Sequence, residues 1–351
     1  SRRWGSGPGG SRFLCGNTVL HDQLEERLGH FIGKKHCVIH TTGFTTNLGS
    51  LGCLANAGDT LLCDRENHAS ILEGCRSASS KISFFGHNEV ASASRKAAAA
   101  RKRNPDGELF LITEGVFSMS GDIAPLPDLT ALKKAHPGLT FYLDDAHGLG
   151  VMGRRGEGTA GHFGVTAQMD FIMGTFSKAL ASIGGFIASD NDDALTYLRH
   201  HSASLIFSAA LPVSCVAAVL ACLDLLQKEP ERLARLRQVT RQAYEGYRRI
   251  GLCARFSGSA IIPILVGDEF KAYALSRDLF DRGIFAPPAV YPAVPKGRAV
   301  IRTAFMSTHT DGHIARVLET FEKLTARHRI RKSDFGESEL FHVAAVPARH
   351  R

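Results

Sequence analysis

Apolar residues gather along this chain into short runs closed by glycine, aspartate or histidine, with stretches of helical spacing between them. That pattern predicts alternating strands and helices from Leu20 to about Lys228. Cys37-Val38-Ile39-His40, Phe141-Tyr142-Leu143 and Asp170-Phe171-Ile172-Met173 read as strands. A long helix is predicted from Pro230 to Ile250, because Glu229-Pro230-Glu231-Arg232 puts a proline early and acids in the first turn. From Gly251 the pattern changes: Ile261 to Val266 reads as a strand, Phe270 to Arg282 as a helix, Ala299 to Thr303 as a strand and Asp311 to Ala326 as a final helix. The expected organisation is an amino-terminal segment (residues 1–20), a large α/β domain (21–250), a small α+β domain (251–328) and a basic tail (329–351).

The ends of the strands carry the chemistry. Open α/β sheets keep their sites at the carboxyl ends of strands. Behind the strand at Asp170 comes Gly174-Thr175-Phe176-Ser177-Lys178. A lysine there suits an aldehyde cofactor: a Schiff base needs the neutral amine, which burial favours. Thr175 and Ser177 offer hydroxyl donors to a phosphate, as pyridoxal phosphate (PLP) requires. The bland alternative is a solvated lysine at a strand end.

Asp144-Asp145-Ala146-His147-Gly148 follows the strand at Phe141. A carboxylate there can pair with a protonated pyridine nitrogen, and an imidazole three residues on can reach the ring's phenolic oxygen. Equally, Asp144 could cap a turn. Thr41 to Gly49 leads from a strand into a helix, whose amino-terminus is a seat for a phosphate. In Asp64 to Ser70, His68 could lie flat on a cofactor ring or merely cap a helix.

Taken in order, Thr42 to Phe44, Asp64 to Ser70, Thr113 to Asp122, Asp144 to Gly148, Gly174 to Lys178, Ser208 to Pro212 and Pro295 to Arg302 are similar to the motifs of α-oxoamine synthases. The resemblance runs from about residue 5 to about residue 326. It implies a PLP-dependent transferase of fold type I: a large domain with a mostly parallel seven-stranded sheet flanked by helices, and a small carboxyl-terminal α+β domain. It implies that Lys178 forms the Schiff base and moves the α-proton, Asp144 pairs with the pyridine nitrogen, His147 meets the phenolic oxygen and His68 stacks on the ring. Gly43 and Phe44 would bind the phosphate through backbone N–H groups, with Thr175 and Ser177 adding hydroxyls and Ser118 among the cofactor contacts. Ser208 and Ala209 would complete the site of the neighbouring subunit, so a homodimer is implied. Arg302 would hold the substrate carboxylate, assisted by His68, and a planar fork suits that task.

The family condenses an amino acid with an acyl-CoA, releasing CoA and carbon dioxide and leaving an α-amino ketone. Ser11 to Asn17, Asp64 to Cys75, Gly174 to Phe186 and Ser204 to Ala209 lean towards the soluble bacterial branch that joins L-serine to palmitoyl-CoA, giving 3-ketosphinganine. Tyr291 to Gly297 also resembles the glycine-using 2-amino-3-ketobutyrate CoA ligase and 5-aminolevulinate synthase, and 8-amino-7-oxononanoate synthase is a further alternative. A second arginine that some members carry twelve positions before the carboxylate arginine is replaced by Val290. Members usually have some tens of residues before the segment Trp4 to Ser11; this chain starts almost at it, so either a truncated product or a more open site is expected. A non-catalytic partner subunit is disfavoured by the joint presence of Lys178, Asp144, His147 and His68. An aminotransferase would instead turn an amino acid alone into a keto acid.

Composition narrows the partners. The chain has 351 residues, 44% of them hydrophobic, enough for a large core. Its eight cysteines show no Cys-x-x-Cys pair and no zinc-ligand spacing, as in a reduced cytoplasmic protein, and no metal is expected. No apolar run reaches a membrane span and no signal-peptide pattern is present, so at most peripheral membrane contact is expected. Despite a net charge of +8, Arg95 to Arg103 reads as a solvated helix with a basic face, without aromatic residues to stack on bases, and no nucleic-acid partner is expected. Gly148 to Gly153 matches a dinucleotide fingerprint, but Asp144 to His147 intervene after the strand and Arg154 to Gly158 cannot continue a helix.

Overall fold

The structure, a computed structural model, describes residues 5–330 and Phe335. Most of the expected tail therefore lies outside the described residues. The chain divides into two compact units: Ser1–Val116 with Ala124–Pro230, and Phe117–Ile123 with Glu231–Arg351.

The first unit runs α1 (Val19–Ile32), β1 (His36–His40), α2 (Gly43–Leu54), β2 (Thr60–Asp64), α3 (Ala69–Ser77), β3 (Lys81–Phe85), α4 (Val90–Arg103), β4 (Leu109–Glu114), α5 (Leu126–Ala135), β5 (Leu139–Asp144), α6 (Thr159–His162), β6 (Phe171–Thr175), β7 (Gly185–Ser189), α7 (Asp192–His201), α8 (Ala203–Ile206) and α9 (Val213–Lys228). Its seven strands lie in the order β1-β7-β6-β5-β4-β2-β3. All neighbours are parallel except β7, which is antiparallel to both β1 and β6.

The central strands are covered on both faces, which explains why they read as continuous apolar runs instead of alternating. Leu61, Cys63, Ile112, Tyr142, Met173 and Ile187 pack with Leu51, Ile71 and Cys75 from the α2 and α3 side. Each fully buried side chain of this size contributes about 1.5–3 kcal/mol. α1 shows how local signals set an element's limits: its buried stripe is Leu24, Leu28, Phe31 and Ile32, and Gly33, at φ 80°, ends it in the left-handed conformation. No disulfide joins the cysteines among the described residues.

The second unit contains α10 (Glu231–Arg249), β8 (Ile261–Gly267), α11 (Glu269–Phe280), β9 (Pro288–Ala289), β10 (Ala299–Ala304) and α12 (Asp311–Arg327). Its sheet has the order β8-β10-β9 and is antiparallel throughout. The unit boundary differs from the expected one at residue 250. Val239, Ala243 and Tyr247 of α10 enter a core with Ile262, Ile264, Leu275, Ile301 and Phe321, so the helix belongs to the second unit. The break at Gly251 marks where the helix stops, not which core it covers.

A second departure is the segment Phe117–Ile123, which leaves β4 to join this unit. Ser257 and Ser259 donate their hydroxyls to the Gly121 carbonyl, Arg255 pairs with Asp122, and Arg302 Nε donates to the Ser118 carbonyl at 2.6 Å. No helix among the described residues is long and apolar enough to cross a membrane.

Candidate active site

The carboxyl ends of β5 and β6 and the amino-termini of α2 and α3 enclose a cavity of roughly 350 Å³ in the first unit. Of the residues singled out in the sequence, Gly43, Phe44, His68, Asp144, His147, Thr175, Ser177 and Lys178 line it together. Thr42, Ser70, Glu114, Ala146, Met173, Ile183 and Gly184 complete the wall. Ser118 and Arg302 lie in the second unit, bonded to each other as described. Ser208 and Ala209 follow α8 in the first unit but are not part of this wall.

Each wall segment has a local cause. Lys178 sits in the loop that joins β6 to the antiparallel β7. Thr175 Oγ1 lies 2.9 Å from Ser177 Oγ and donates to the Gly184 carbonyl at 3.0 Å, which pins both ends of that loop. At α2, Thr42 and Thr45 form a capping box: Thr45 N donates to Thr42 Oγ1 at 3.0 Å and Thr42 N to Thr45 Oγ1 at 3.1 Å. Helix geometry leaves the Gly43 and Phe44 amides without intrahelical acceptors, at the positive end of the helix dipole. A Cβ on Gly43 would stand 2.9 Å from Thr175 Oγ1, so the backbone here approaches as only glycine allows.

His68 takes the capping role that the sequence offered and also borders the cavity. It caps α3, with Nδ1 accepting from Ser70 N at 3.2 Å, and its ring lines the cavity. Burial pulls its pKa below the ordinary value, Asp144 opposes this, and Lys178 adds to it. Its own backbone N–H donates to Glu114 Oε1 at 2.6 Å. Burial pushes the Glu114 carboxyl well above its ordinary range, and Asp144, its register partner on β5, pushes the same way.

Asp144 is 4% exposed. Its Oδ1 accepts from Ala146 N at 3.0 Å and its Oδ2 from Asn47 Nδ2 at 2.7 Å. Asp145 points elsewhere: its carboxylate takes the Thr159 N–H at 2.5 Å and hydroxyl at 2.6 Å. Residues Gly148 to Gly158 form successive turns, with Gly150 N bonded to the Gly156 carbonyl, and no helix follows β5 directly. The dinucleotide reading therefore fails on geometry.

Sequence reasoning had missed the roles of Asn47, Ser70, Glu114 and Tyr142. Asn47 carried a faint signal, as a polar residue inside an otherwise small and apolar helix. The rest sat in motifs or strands without marking themselves.

An amine, a buried carboxylate, two imidazoles and a helix amino-terminus around one cavity fit a phosphorylated aldehyde that needs a ring-nitrogen partner. A family model described as aminotransferase class I and II matches residues 5–321, and the chain belongs to that family. It is similar to a serine palmitoyltransferase of Bacteroides thetaiotaomicron, 42% identical over 322 residues that cover 92% of this chain and 80% of that protein. It is also similar to an 8-amino-7-oxononanoate synthase of Symbiobacterium thermophilum, 37% identical over 92% of this chain and 81% of that protein. A solved structure of serine palmitoyltransferase from S. paucimobilis with bound PLP-myriocin aldimine superposes with a TM-score of 0.89 at 32% identity, covering 93% of this chain and 82% of that one. The fold is that of the PLP-dependent transferases, and the cofactor is pyridoxal phosphate.

Proposed function

We propose that this protein condenses L-serine with palmitoyl-CoA, releasing CoA and carbon dioxide and leaving 3-ketosphinganine. The observation that carries this reading is the convergence of Lys178, Asp144, His68 and His147 on one cavity in a chain 42% identical to a serine palmitoyltransferase. When bound, PLP supplies an electron sink for negative charge developing at the amino acid's α-carbon.

The chain's own residues divide the remaining work. Lys178 Nζ would hold the cofactor's aldehyde and, as a neutral amine, would take the α-proton. Asp144 would pair with the pyridine nitrogen, His147 would meet the phenolic oxygen and His68 would stack on the ring. The Gly43 and Phe44 amides and the hydroxyls of Thr175 and Ser177 would hold the phosphate, Ser118 would be a further cofactor contact, and Ser208 and Ala209 of a second copy would complete the phosphate seat in a homodimer. Arg302 would hold the substrate carboxylate, a task that its planar fork suits, and His68 would help to set which bond at the α-carbon weakens. The site works in the cytoplasm, with membrane contact at most peripheral.

A second reading, 8-amino-7-oxononanoate synthase chemistry, is favoured by the 37% identical relative. The test is to load the protein with PLP, titrate serine, glycine and alanine while recording the visible spectrum, and then follow thiol release with acyl-CoAs of several lengths. A serine-specific spectral response with thiol release from palmitoyl-CoA is expected. A response confined to alanine or glycine overturns the substrate assignment, and full turnover by Lys178→Ala overturns the lysine's role.

A further inference from the structure

Behind the cavity wall a chain of hydrogen bonds joins two groups that the proposed reaction uses separately. Tyr142 Oη donates to Asn47 Oδ1 at 2.8 Å. Asn47 Nδ2 donates to Asp144 Oδ2 at 2.7 Å and to Ser70 Oγ at 2.9 Å. Ser70 Oγ in turn lies 2.8 Å from His68 Nδ1. All four partners of this relay other than His68 are buried, at 5% exposure or less.

The direction of each proton can be worked out from that arrangement. With the Asn47 amide reversed, its oxygen would meet the Asp144 carboxylate at 2.7 Å, acceptor against acceptor, so the amide nitrogen must face Asp144. The same nitrogen then occupies an acceptor position on Ser70 Oγ. The Ser70 backbone N–H donates to His68 Nδ1, which makes that nitrogen an acceptor and turns the serine proton, at 2.8 Å, towards it as well. A ring nitrogen that accepts from two donors carries no proton.

We propose that Asn47 is a positioning residue that orients Asp144 and, through Ser70, locks His68 as the neutral imidazole with its proton on Nε2. The lock leaves Nε2–H as the donor His68 can offer to a ligand in the cavity. It makes the partner of the cofactor nitrogen and the ring that lies on the cofactor parts of one unit, set by a residue that does not line the cavity. Burial of His68 and the nearby Lys178 ammonium favour the same neutral state, against the pull of Asp144. The catalytic part of this inference rests on the proposed reaction; the tautomer assignment does not.

The test uses the PLP-loaded protein with ¹⁵N-labelled histidine, His68 being assigned by loss of its signals in His68→Gln. Wild type is expected to show Nε2–H and an unprotonated Nδ1 from pH 6 to 8. Ser70→Ala should populate the other tautomer or the cation, and Ser70→Thr should restore the wild-type pattern. Asn47→Leu should disturb both the His68 signals and the visible band of the bound cofactor, lowering kcat roughly 10–100-fold with KM for the amino acid within about threefold, as the loss of one or two buried hydrogen bonds predicts. Unchanged His68 shifts in Ser70→Ala overturn the lock even if Asn47→Leu does not fold. An undisturbed cofactor band in a folded Asn47→Leu protein overturns the link to Asp144. A protein that condenses a different amino acid but shows the expected His68 shifts refutes the proposed substrate and leaves the relay standing.

Discussion

Arg302 and Ser118, 184 residues apart in sequence, are joined by a hydrogen bond of 2.6 Å from the guanidinium Nε to the backbone carbonyl. Because that bond uses Nε, it fixes the plane of the guanidinium without using the two Nη groups, which the proposed function assigns to a carboxylate. Lysine can replace the charge but neither the fork nor the tether. Arg302→Lys is therefore expected to raise KM for the amino acid about 10–100-fold, the equivalent of losing roughly 1.5–3 kcal/mol of charge-assisted bonding, with a smaller fall in kcat. Steady-state kinetics with varied amino acid checks this; an unchanged KM would remove Arg302 from substrate binding.

The close approach at Gly43 leads to a second expectation. In Gly43→Ala the new methyl group would press on Thr175 Oγ1 at 2.9 Å and Thr175 Cβ at 3.0 Å. Thr175 cannot give way easily, since its hydroxyl is tied to Ser177 and Gly184. Overpacking of this kind costs about 1–3 kcal/mol. Cofactor affinity should fall by about one order of magnitude or more, read by spectral titration of the cofactor-free protein with PLP, while circular dichroism stays unchanged.

His40 ends β1 at 2% exposure, and neither ring nitrogen finds a hydrogen-bond partner among the described residues. Burial, aided by the Arg12 and Arg199 charges, drives its pKa from 6.5 to about 3. The folded-state pKa lies below the unfolded value, so protons favour the unfolded chain: this stability is complete above pH 6.5 and declines as pH falls towards 3. The loss amounts to about 2 kcal/mol by pH 5. In His40→Leu the acid limb of a stability–pH curve from urea melts should flatten by about that amount; an identical limb would assign the acid sensitivity elsewhere.

Asp145 titrates the other way. Burial raises its pKa to about 6, while the Thr159 hydroxyl and N–H pull it down. A raised carboxyl pKa means that this group's contribution to stability is intact at low pH and is lost as pH rises through about 6. Thr159→Val removes the hydroxyl donor at 2.6 Å and leaves the N–H. Its destabilisation should be about 2 kcal/mol at pH 8, where Asp145 is a bare carboxylate, and under about 1 kcal/mol at pH 5. Equal losses at both pH values would mean that Asp145 keeps one protonation state throughout.

Much of this molecule was legible in its residues taken in order. Apolar runs such as Phe141 to Leu143 and their polar ends marked buried strands, and the resemblance to α-oxoamine synthases implied the mostly parallel sheet. The types placed at those ends, Lys178, Asp144, His147 and His68, pointed to the cofactor, because the roles expected of them would each demand particular side chains. These signals are local: strand, turn and helix start succeed one another within a few residues, and composition decides each.

Only the tertiary structure decided which residues support those groups and where the units divide. Asn47 and Asp144, 97 positions apart, are joined because α2 and β5 pack together, and no spacing along the chain encodes a hydrogen bond between them. α10 read as the last helix of the first domain, yet the second core takes its apolar face. The segment Phe117–Ile123 likewise crosses to the second unit, where Ser257, Ser259, Arg255 and Arg302 hold it. An amphipathic helix or a strand extension declares that it has a face to bury, while the partner that buries it is set by the fold of the whole chain.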